Sequence, residues 1–218
     1  MMHTRTSSTS AERGHPVFAG LYDLLTRGAE RRILGPERRR LTAACHGRVL
    51  ELGAGTGATF PHWAAARRAG ALMELVAVEP DPHMRRRAAA WAHALRLPVD
   101  LLGTPAEALP FADASFDAVA AFLVLCTVAD PAQALAEAYR VLRPGGTLAF
   151  LEHVRADGAA ASWQRRIRPL WARLGAGCQL DRDTGAAIAR AGFADMRLRT
   201  LPLPFPLCRL VAGTARRP

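Results

Sequence analysis

Three glycines at alternate positions, Gly53, Gly55 and Gly57, follow the apolar residues Val49, Leu50 and Leu52 and the acid Glu51. A buried strand that turns sharply into a helix requires this arrangement. Glycine lacks a Cβ, so the turn takes positive φ and a ligand can approach the backbone. The helix that follows, from about Ala58, points its free N–H groups back at that ligand. A second apolar run, Leu75 to Val78, ends in Glu79, 28 positions after Glu51. An acid at the tip of a strand beside a glycine turn is placed to accept both hydrogen bonds of a ribose diol. The pattern therefore reads as a nucleoside site. It is neither the dinucleotide fingerprint nor the phosphate loop, because the third glycine comes one residue early, position 58 is Ala, and no Lys-Ser or Lys-Thr follows. Glu51, set inside the turn, would repel a pyrophosphate and welcome a cation.

The elements that must position these groups alternate along the chain. Beyond the Glu79 strand a helix opened by Pro82 runs through Met84, Trp91 and Leu95, and Val99 to Leu102 reads as a third strand. Phe116 to Val124 is a continuous apolar run, the pattern of a central parallel strand covered on both faces. It leads into Phe122-Leu-Val-Leu-Cys-Thr127, at the strand end where α/β sheets bind ligands. A helix through Leu135 and Tyr139 ends at Arg143-Pro-Gly-Gly146, read as a turn into a fifth strand, Thr147 to Leu151, which delivers Glu152 and His153 to the same edge. Met196 to Leu203 and Leu207 to Ala212 read as the sixth and seventh strands, separated by Pro204 and Pro206. Strands alternating with helices, joined by right-handed crossovers, give a doubly wound α/β sheet.

At 218 residues and 50% hydrophobic the chain can bury one substantial core. The expected plan is a polar tail at 1–13, a helical lid at 14–45 and one domain at 46–218. The lid reads as two helices, broken at Gly35-Pro36, with Arg27, Arg31, Arg32 and Arg38 to Arg40 forming a solvated basic face. No apolar stretch approaches the roughly 20 residues that span a bilayer, and no signal-peptide pattern opens the chain, so a cytoplasmic protein is expected. The cysteines Cys45, Cys126, Cys178 and Cys208 are scattered, with no C-x-x-C and no histidine at ligand spacing, which predicts neither a metal site nor a disulfide framework. The net charge of +10 comes entirely from arginine, as the chain contains no lysine. Nucleic acid is not an expected partner, because aromatics make up only 6% and none is interleaved with the arginine clusters.

The run Val-Leu-Glu-Leu-Gly-Ala-Gly-Thr-Gly resembles the first motif of the class I S-adenosylmethionine-dependent methyltransferases, E-L-G-x-G-T-G, residue for residue. The resemblance implies a Rossmann-like seven-stranded sheet, mostly parallel, with its last strand antiparallel in a terminal hairpin. It implies S-adenosylmethionine as cofactor. Glu51, Gly53, Ala54, Gly55, Thr56 and Gly57 would hold its methionine part and Glu79 its ribose, with Pro80, Met84, Phe122 and Leu123 lining the same cleft. The loop Gly103 to Phe111 would cradle the adenine through Ala106 and Glu107, although Glu107 also reads as a capping carboxylate.

The acceptor is sought in Cys126, in Glu152 and His153, in Tyr22 of the lid, and in an insertion at 158–183. That insertion sets Trp163, Ile167, Leu170, Trp171 and Leu174 on one helical face and four arginines around the other, with Pro169 within it. Such a helix packs on a core, covers an apolar acceptor pocket or lies on a membrane surface. L-C-T-V, R-P-G-G, L-E-H-V, the tryptophan pair and G-C-Q-L-D-R-D-T before A-G-F are similar to the animal membrane-associated thiol S-methyltransferases and their bacterial relatives over residues 46–200. Their N-terminal membrane anchor is not matched, so the chemistry carries over but not the attachment. More distantly the chain resembles ubiquinone/menaquinone C-methyltransferases and phospholipid N-methyltransferases. A thiol, with a pKa of about 8.5, needs only a weak base. His153 is the candidate base, or else an orienting histidine tied to Glu152. Trp163, Trp171, Cys126 and Cys178 are candidate pocket residues.

Overall fold

The computed structural model describes residues 28, 30–174, 177–201 and 209–218. The expected tail, the first lid helix with Tyr22, the prolines between the last two strands and Cys208 lie outside them. In chain order the elements are a π-helical turn at Glu30–Leu34, α1 Gly35–Thr42, β1 Gly47–Leu52, α2 Phe60–Arg68, β2 Leu72–Val78, α3 Pro82–Leu95, β3 Asp100–Leu102, β4 Phe116–Phe122, α4 Pro131–Val141, β5 Leu142–Val154, α5 Gly158–Leu174, α6 Thr184–Arg190, β6 Ala194–Leu201 and β7 Arg209–Arg216.

The strands form one seven-stranded sheet in the order β3-β2-β1-β4-β5-β7-β6. β1 pairs in parallel with β2 and β4, and β4 with β5. β7 is antiparallel to both neighbours. This is the predicted doubly wound sheet. Its chain order reverses between β1 and β4, so the carboxyl ends of these two strands open the crevice where such sheets take ligands.

Two apolar layers sandwich the sheet, as the unbroken apolar runs of β1, β2 and β4 demand. One layer centres on Leu50, Leu52, Val119, Leu135 and Phe150, against α4 and α6. The other centres on Val49, Ala77, Ala120, Phe60 and Trp63, beneath α1 to α3. Helix starts follow local chemistry. The carboxylates of Asp81 and Asp130 accept the first free N–H groups of α3 and α4, and proline occupies the first turn of each.

Four expectations are corrected. Gly35-Pro36 does not break the lid, because a π-turn runs directly into α1 and Pro36 falls in its first turn, where no N–H is needed. Arg143-Pro-Gly-Gly146 is not a turn before β5. That strand already begins at Leu142, and the pairing with β4 skips from Phe116–Leu142 to Ala118–Thr147, so the four residues bulge from a continuous strand. Gly145 takes φ of +77° there, and Arg143 is anchored to the Asp117 carboxylate. β6 begins at Ala194, two residues before its expected start, and β7 runs on to Arg216, four residues past its expected end. Finally, Arg38 does not belong to a solvated face: it is only 4% exposed.

Candidate active site

At the carboxyl end of β1 the chain enters the left-handed region at Gly53, Gly55 and Gly57, with φ of +61°, +57° and +86°. Each glycine is required for a different reason. A Cβ on Gly53 would be driven into the Val124 side chain, and one on Gly57 would come within 3.0 Å of the Phe60 ring. A Cβ on Gly55 would meet nothing within 4 Å. The open side of the turn is therefore at Gly55, the position a ligand approaches. Gly53→Ala is expected to destabilise the protein beyond the roughly 1–2 kcal/mol of a left-handed alanine. Gly55→Ala should cost stability no more than that and should chiefly weaken cofactor binding. Thermal melts beside cofactor calorimetry separate the two, and equal melting temperatures would contradict the contrast.

Glu79 lies where predicted, at the tip of β2 and facing the turn. One carboxylate oxygen accepts from the Gly55 N–H at 2.8 Å and the other from the Asp81 N–H at 2.9 Å. Each oxygen keeps a lone pair for a further donor. Burial raises its pKa, against the pull of these two N–H groups.

Glu51 sits beneath the turn. It accepts from the Trp63 indole N–H at 2.9 Å, with Thr59 and the Arg38 guanidinium close by. Burial pushes its pKa from 4.5 to about 7, and hydrogen bonds from Thr59 and Trp63 and the charge of Arg38 only partly oppose this. An acid whose pKa rises on folding favours the fold while protonated, and that contribution is lost as pH climbs from about 4.5 through about 7. Raising the pH from 5 to 8 should therefore cost the wild type on the order of 2 kcal/mol more than Glu51→Gln, which retains an oxygen for Trp63. Urea unfolding at the two pH values tests this, and identical losses in the two proteins would refute it.

Arg38, in α1, was not anticipated. Its guanidinium donates to Thr59 Oγ1 at 2.9 Å, lies 3.2 Å from Glu30 and stands 5.9 Å from the Phe122 ring centroid. An arginine of α1 thus reaches the underside of the turn, a long-range contact that no local pattern signals. Ala106 is buried against the core, whereas the Glu107 carboxylate accepts from the Ala129 and Asp130 N–H groups ahead of α4. Of its two readings, the geometry is that of the cap. Met84 is half-buried in the first turn of α3, and Pro80 is exposed beside Glu79.

The second half of the site lies at the ends of β4 and β5. Leu123 adopts φ of +60°, uncommon for a side chain of that size, and turns the chain out of the sheet. The loop beyond it is held by Glu152, 0% exposed, whose carboxylate accepts from the N–H groups of Val124 and Leu125 at 2.9 Å and of Cys126 at 3.2 Å. Burial raises Glu152 to about 7 in spite of these three donors.

His153 points to the opposite side of β5 from Glu152. Its Nδ1 lies 3.6 Å from the Cys178 sulfur and 3.9 Å from that of Cys126. The Gln179 N–H donates to the Cys126 carbonyl at 2.7 Å, and Arg182 donates to the carbonyls of Leu125 and Val128, binding the 177–182 segment to the loop after β4. Contact with Cys126 and with His153 lowers the Cys178 pKa, while the hydrogen bond to Cys178 and burial raise that of Cys126.

Trp171 and Ile167 pack on this cluster, as anticipated for the pocket. Trp163 does not: it is 54% exposed, with Arg166 over its ring at 5.7 Å. The helical face assigned to one pocket is split, since Trp163 and Leu170 occupy its outward edge.

Residues 50–150 match the methyltransferase-domain family. A thiol S-methyltransferase of Rattus norvegicus is 35% identical over 162 residues, covering 72% of this chain and 64% of the relative. Its Homo sapiens counterpart is 34% identical over 161 residues with the same coverages. A ubiquinone/menaquinone biosynthesis C-methyltransferase of Geotalea daltonii is 32% identical over 143 residues, covering 62% of this chain and 59% of the relative. Among solved structures, a geranyl diphosphate C-methyltransferase from Streptomyces coelicolor A3(2) has a TM-score of 0.66 at 15% identity, over 85% of this chain and 78% of its own. The [4+2]-cyclase SpnF has one of 0.64 at 20%, over 90% and 81%.

Sheet, glycine turn and strand-tip acid accord with the methyltransferase-domain family that residues 50–150 match, and the chain belongs to that family. Within it, the chain is similar to the thiol S-methyltransferases, and it spans 64% of the length of those first two relatives. Among the described residues no helix is long and apolar enough to cross a membrane.

Proposed function

We propose that this chain transfers the methyl group of S-adenosylmethionine to the sulfur of a small, largely apolar thiol. The observation carrying this reading is the convergence of L-C-T, L-E-H and G-C at one sheet edge, in a chain whose relatives include thiol S-methyltransferases. The residues present fit the cofactor. The open face at Gly55 admits it, and the free lone pairs of Glu79 suit a ribose diol. S-adenosylmethionine supplies a sulfonium-bound methyl group with a neutral thioether as leaving group. The protein's task is to orient and desolvate the nucleophile. Ile167 and Trp171 form the apolar wall, His153 takes the thiol proton or orients the thiol, and α5 acts as cover. The free state of Cys45, Cys126 and Cys178 suits the reducing cytoplasm.

The test is methyl transfer from labelled cofactor to an alkyl thiol, a quinol, a phenol and phosphatidylethanolamine. Thiol turnover is expected. It should fall by about 10²-fold or more in His153→Ala, the scale of a lost general base, with cofactor affinity unchanged. Turnover of quinol or phenol alone would overturn the thiol assignment. A second reading, phospholipid N-methylation at a membrane surface, draws on the exposed Trp163 and Leu170 beside Arg165, Arg166 and Arg168, and turnover of the lipid alone would favour it.

A further inference from the structure

Cys126, His153 and Cys178 are separated by 27, 25 and 52 positions in the chain, yet their donor atoms all lie within 4.8 Å of one another. Zinc bonds of about 2.3 Å to sulfur and 2.0–2.1 Å to nitrogen, at tetrahedral angles, set a sulfur and a nitrogen about 3.6 Å apart. The two observed separations, 3.6 and 3.9 Å, match this spacing. From this geometry we propose that Cys126, His153 and Cys178 form a three-ligand site for a thiophilic divalent cation, zinc foremost, whose fourth position takes the acceptor thiol.

Three observations besides the distances support the site. The two cysteines sit on backbone segments that are tied down and tied to each other, as metal sites require. Cys126 is fixed through its N–H by Glu152 and through its carbonyl by Gln179, and Cys178 immediately precedes Gln179. The charge also suits a buried location, because two thiolates neutralise a divalent cation where an uncompensated thiolate would be costly. Lastly, Glu152 spends its carboxylate on three N–H groups, and among the described residues no fourth side-chain donor joins the three. Among the described residues the set is Cys₂His, which with an open fourth position is the catalytic rather than the structural pattern.

The chemistry then differs from simple base catalysis. The acceptor R–SH displaces water as the fourth ligand and loses its proton to solvent, which leaves the zinc group with a net charge of −1 opposite the sulfonium. The thiolate sulfur forms a bond to the methyl carbon, the carbon–sulfur bond of the sulfonium breaks, and its electron pair stays on the cofactor as a thioether. In this scheme His153 Nδ1 is a ligand and not the proton acceptor. The cation site itself stands on geometry, and only the identity of its fourth ligand rests on the thiol reading above.

The test uses the full chain, reduced with a phosphine and freed of metal, then titrated with Co²⁺. One equivalent should produce the d–d bands of a tetrahedral site and thiolate-to-cobalt charge transfer. Cys126→Ser and Cys178→Ser should each remove about half of the charge-transfer intensity. Each should also weaken binding by more than the roughly 10–100-fold typical of losing an outer-shell partner. Circular dichroism and cofactor calorimetry confirm that each variant is folded. His153→Cys keeps a ligand while abolishing a base, so it should retain the tetrahedral d–d bands with charge transfer raised by about half for its third thiolate, and with zinc it should retain methyl transfer. Adding an alkyl thiol to the cobalt form should raise the charge-transfer intensity by about another half. No cobalt spectrum in the reduced protein, or one indifferent to both serine variants, would overturn the site. Full thiol methylation by the metal-free protein would overturn the proposal while leaving the thiol assignment intact.

Discussion

Glu152→Ala is expected to destabilise the protein by at least about 3 kcal/mol and to abolish methyl transfer. The carboxylate is fully buried and accepts from three consecutive N–H groups, Val124, Leu125 and Cys126. Alanine would leave all three without acceptors in a dry interior, and each buried donor left unsatisfied costs about 1–3 kcal/mol. The loop they belong to carries Cys126 and rests against the 177–182 segment, so its loss would disperse the cluster around His153. Glu152→Gln separates shape from charge. Its single carbonyl oxygen can serve Val124 and Leu125, while its amide opposes the Cys126 N–H. The glutamine variant should therefore fall between wild type and alanine in urea unfolding. An alanine variant as stable as wild type would show that the loop does not depend on this residue.

Glu79→Ala is expected to lower cofactor affinity on the order of 100-fold. Two hydrogen bonds from a ribose diol to a carboxylate are worth about 1.5–3 kcal/mol each, and the lower figure for the pair already gives this factor. Glu79 also accepts from Gly55 and Asp81, so alanine would loosen the turn as well as remove the ribose contacts. Calorimetry with a 2′-deoxy analogue of the cofactor separates these effects. The analogue should bind the wild type more weakly than the parent cofactor, whereas the alanine variant should not distinguish the two. If both proteins discriminate equally, Glu79 does not contact the ribose.

Much of the cofactor half was legible because it is local. Glu51, the three glycines and the apolar runs of β1 and β2 lie close in sequence, and strand and helix periodicities fix which side each presents. The limits of the reading appear where distant segments meet. Arg38 looked like one of several surface arginines, since nothing near it in sequence reveals Thr59 or Phe122. Cys126, His153 and Cys178 are each legible as acceptor-site candidates, but their meeting as one set of donors is not, for the same reason. Metal-ligand spacing in sequence is informative only when one turn or hairpin supplies neighbouring ligands, and here three separate segments supply one each. Trp163 failed differently. Helical spacing places it on the apolar face with Trp171, but periodicity cannot say how wide a strip of that face the protein covers. The Arg143-Pro-Gly-Gly146 bulge was misjudged because proline and glycine signal a turn equally well inside a strand and before one.

The sheet's strand order constrains how the protein can be assembled as it is synthesised. β7 lies between β5 and β6, so β6 emerges from the ribosome with no partner and can join the sheet only once β7 has followed it. Until then the β5 edge, with its Leu148-Ala-Phe-Leu151 core run, stands open to any other extended chain. All but the last residue of β6 are exposed, and Asp195, Arg197 and Arg199 lie along it. Those charges discourage a second nascent chain from pairing there during the wait, when a more apolar strand in the same place would invite it. Completion of the methyltransferase sheet is thus a late and single event, and a pause in translation between β6 and β7 would leave the protein at its most vulnerable.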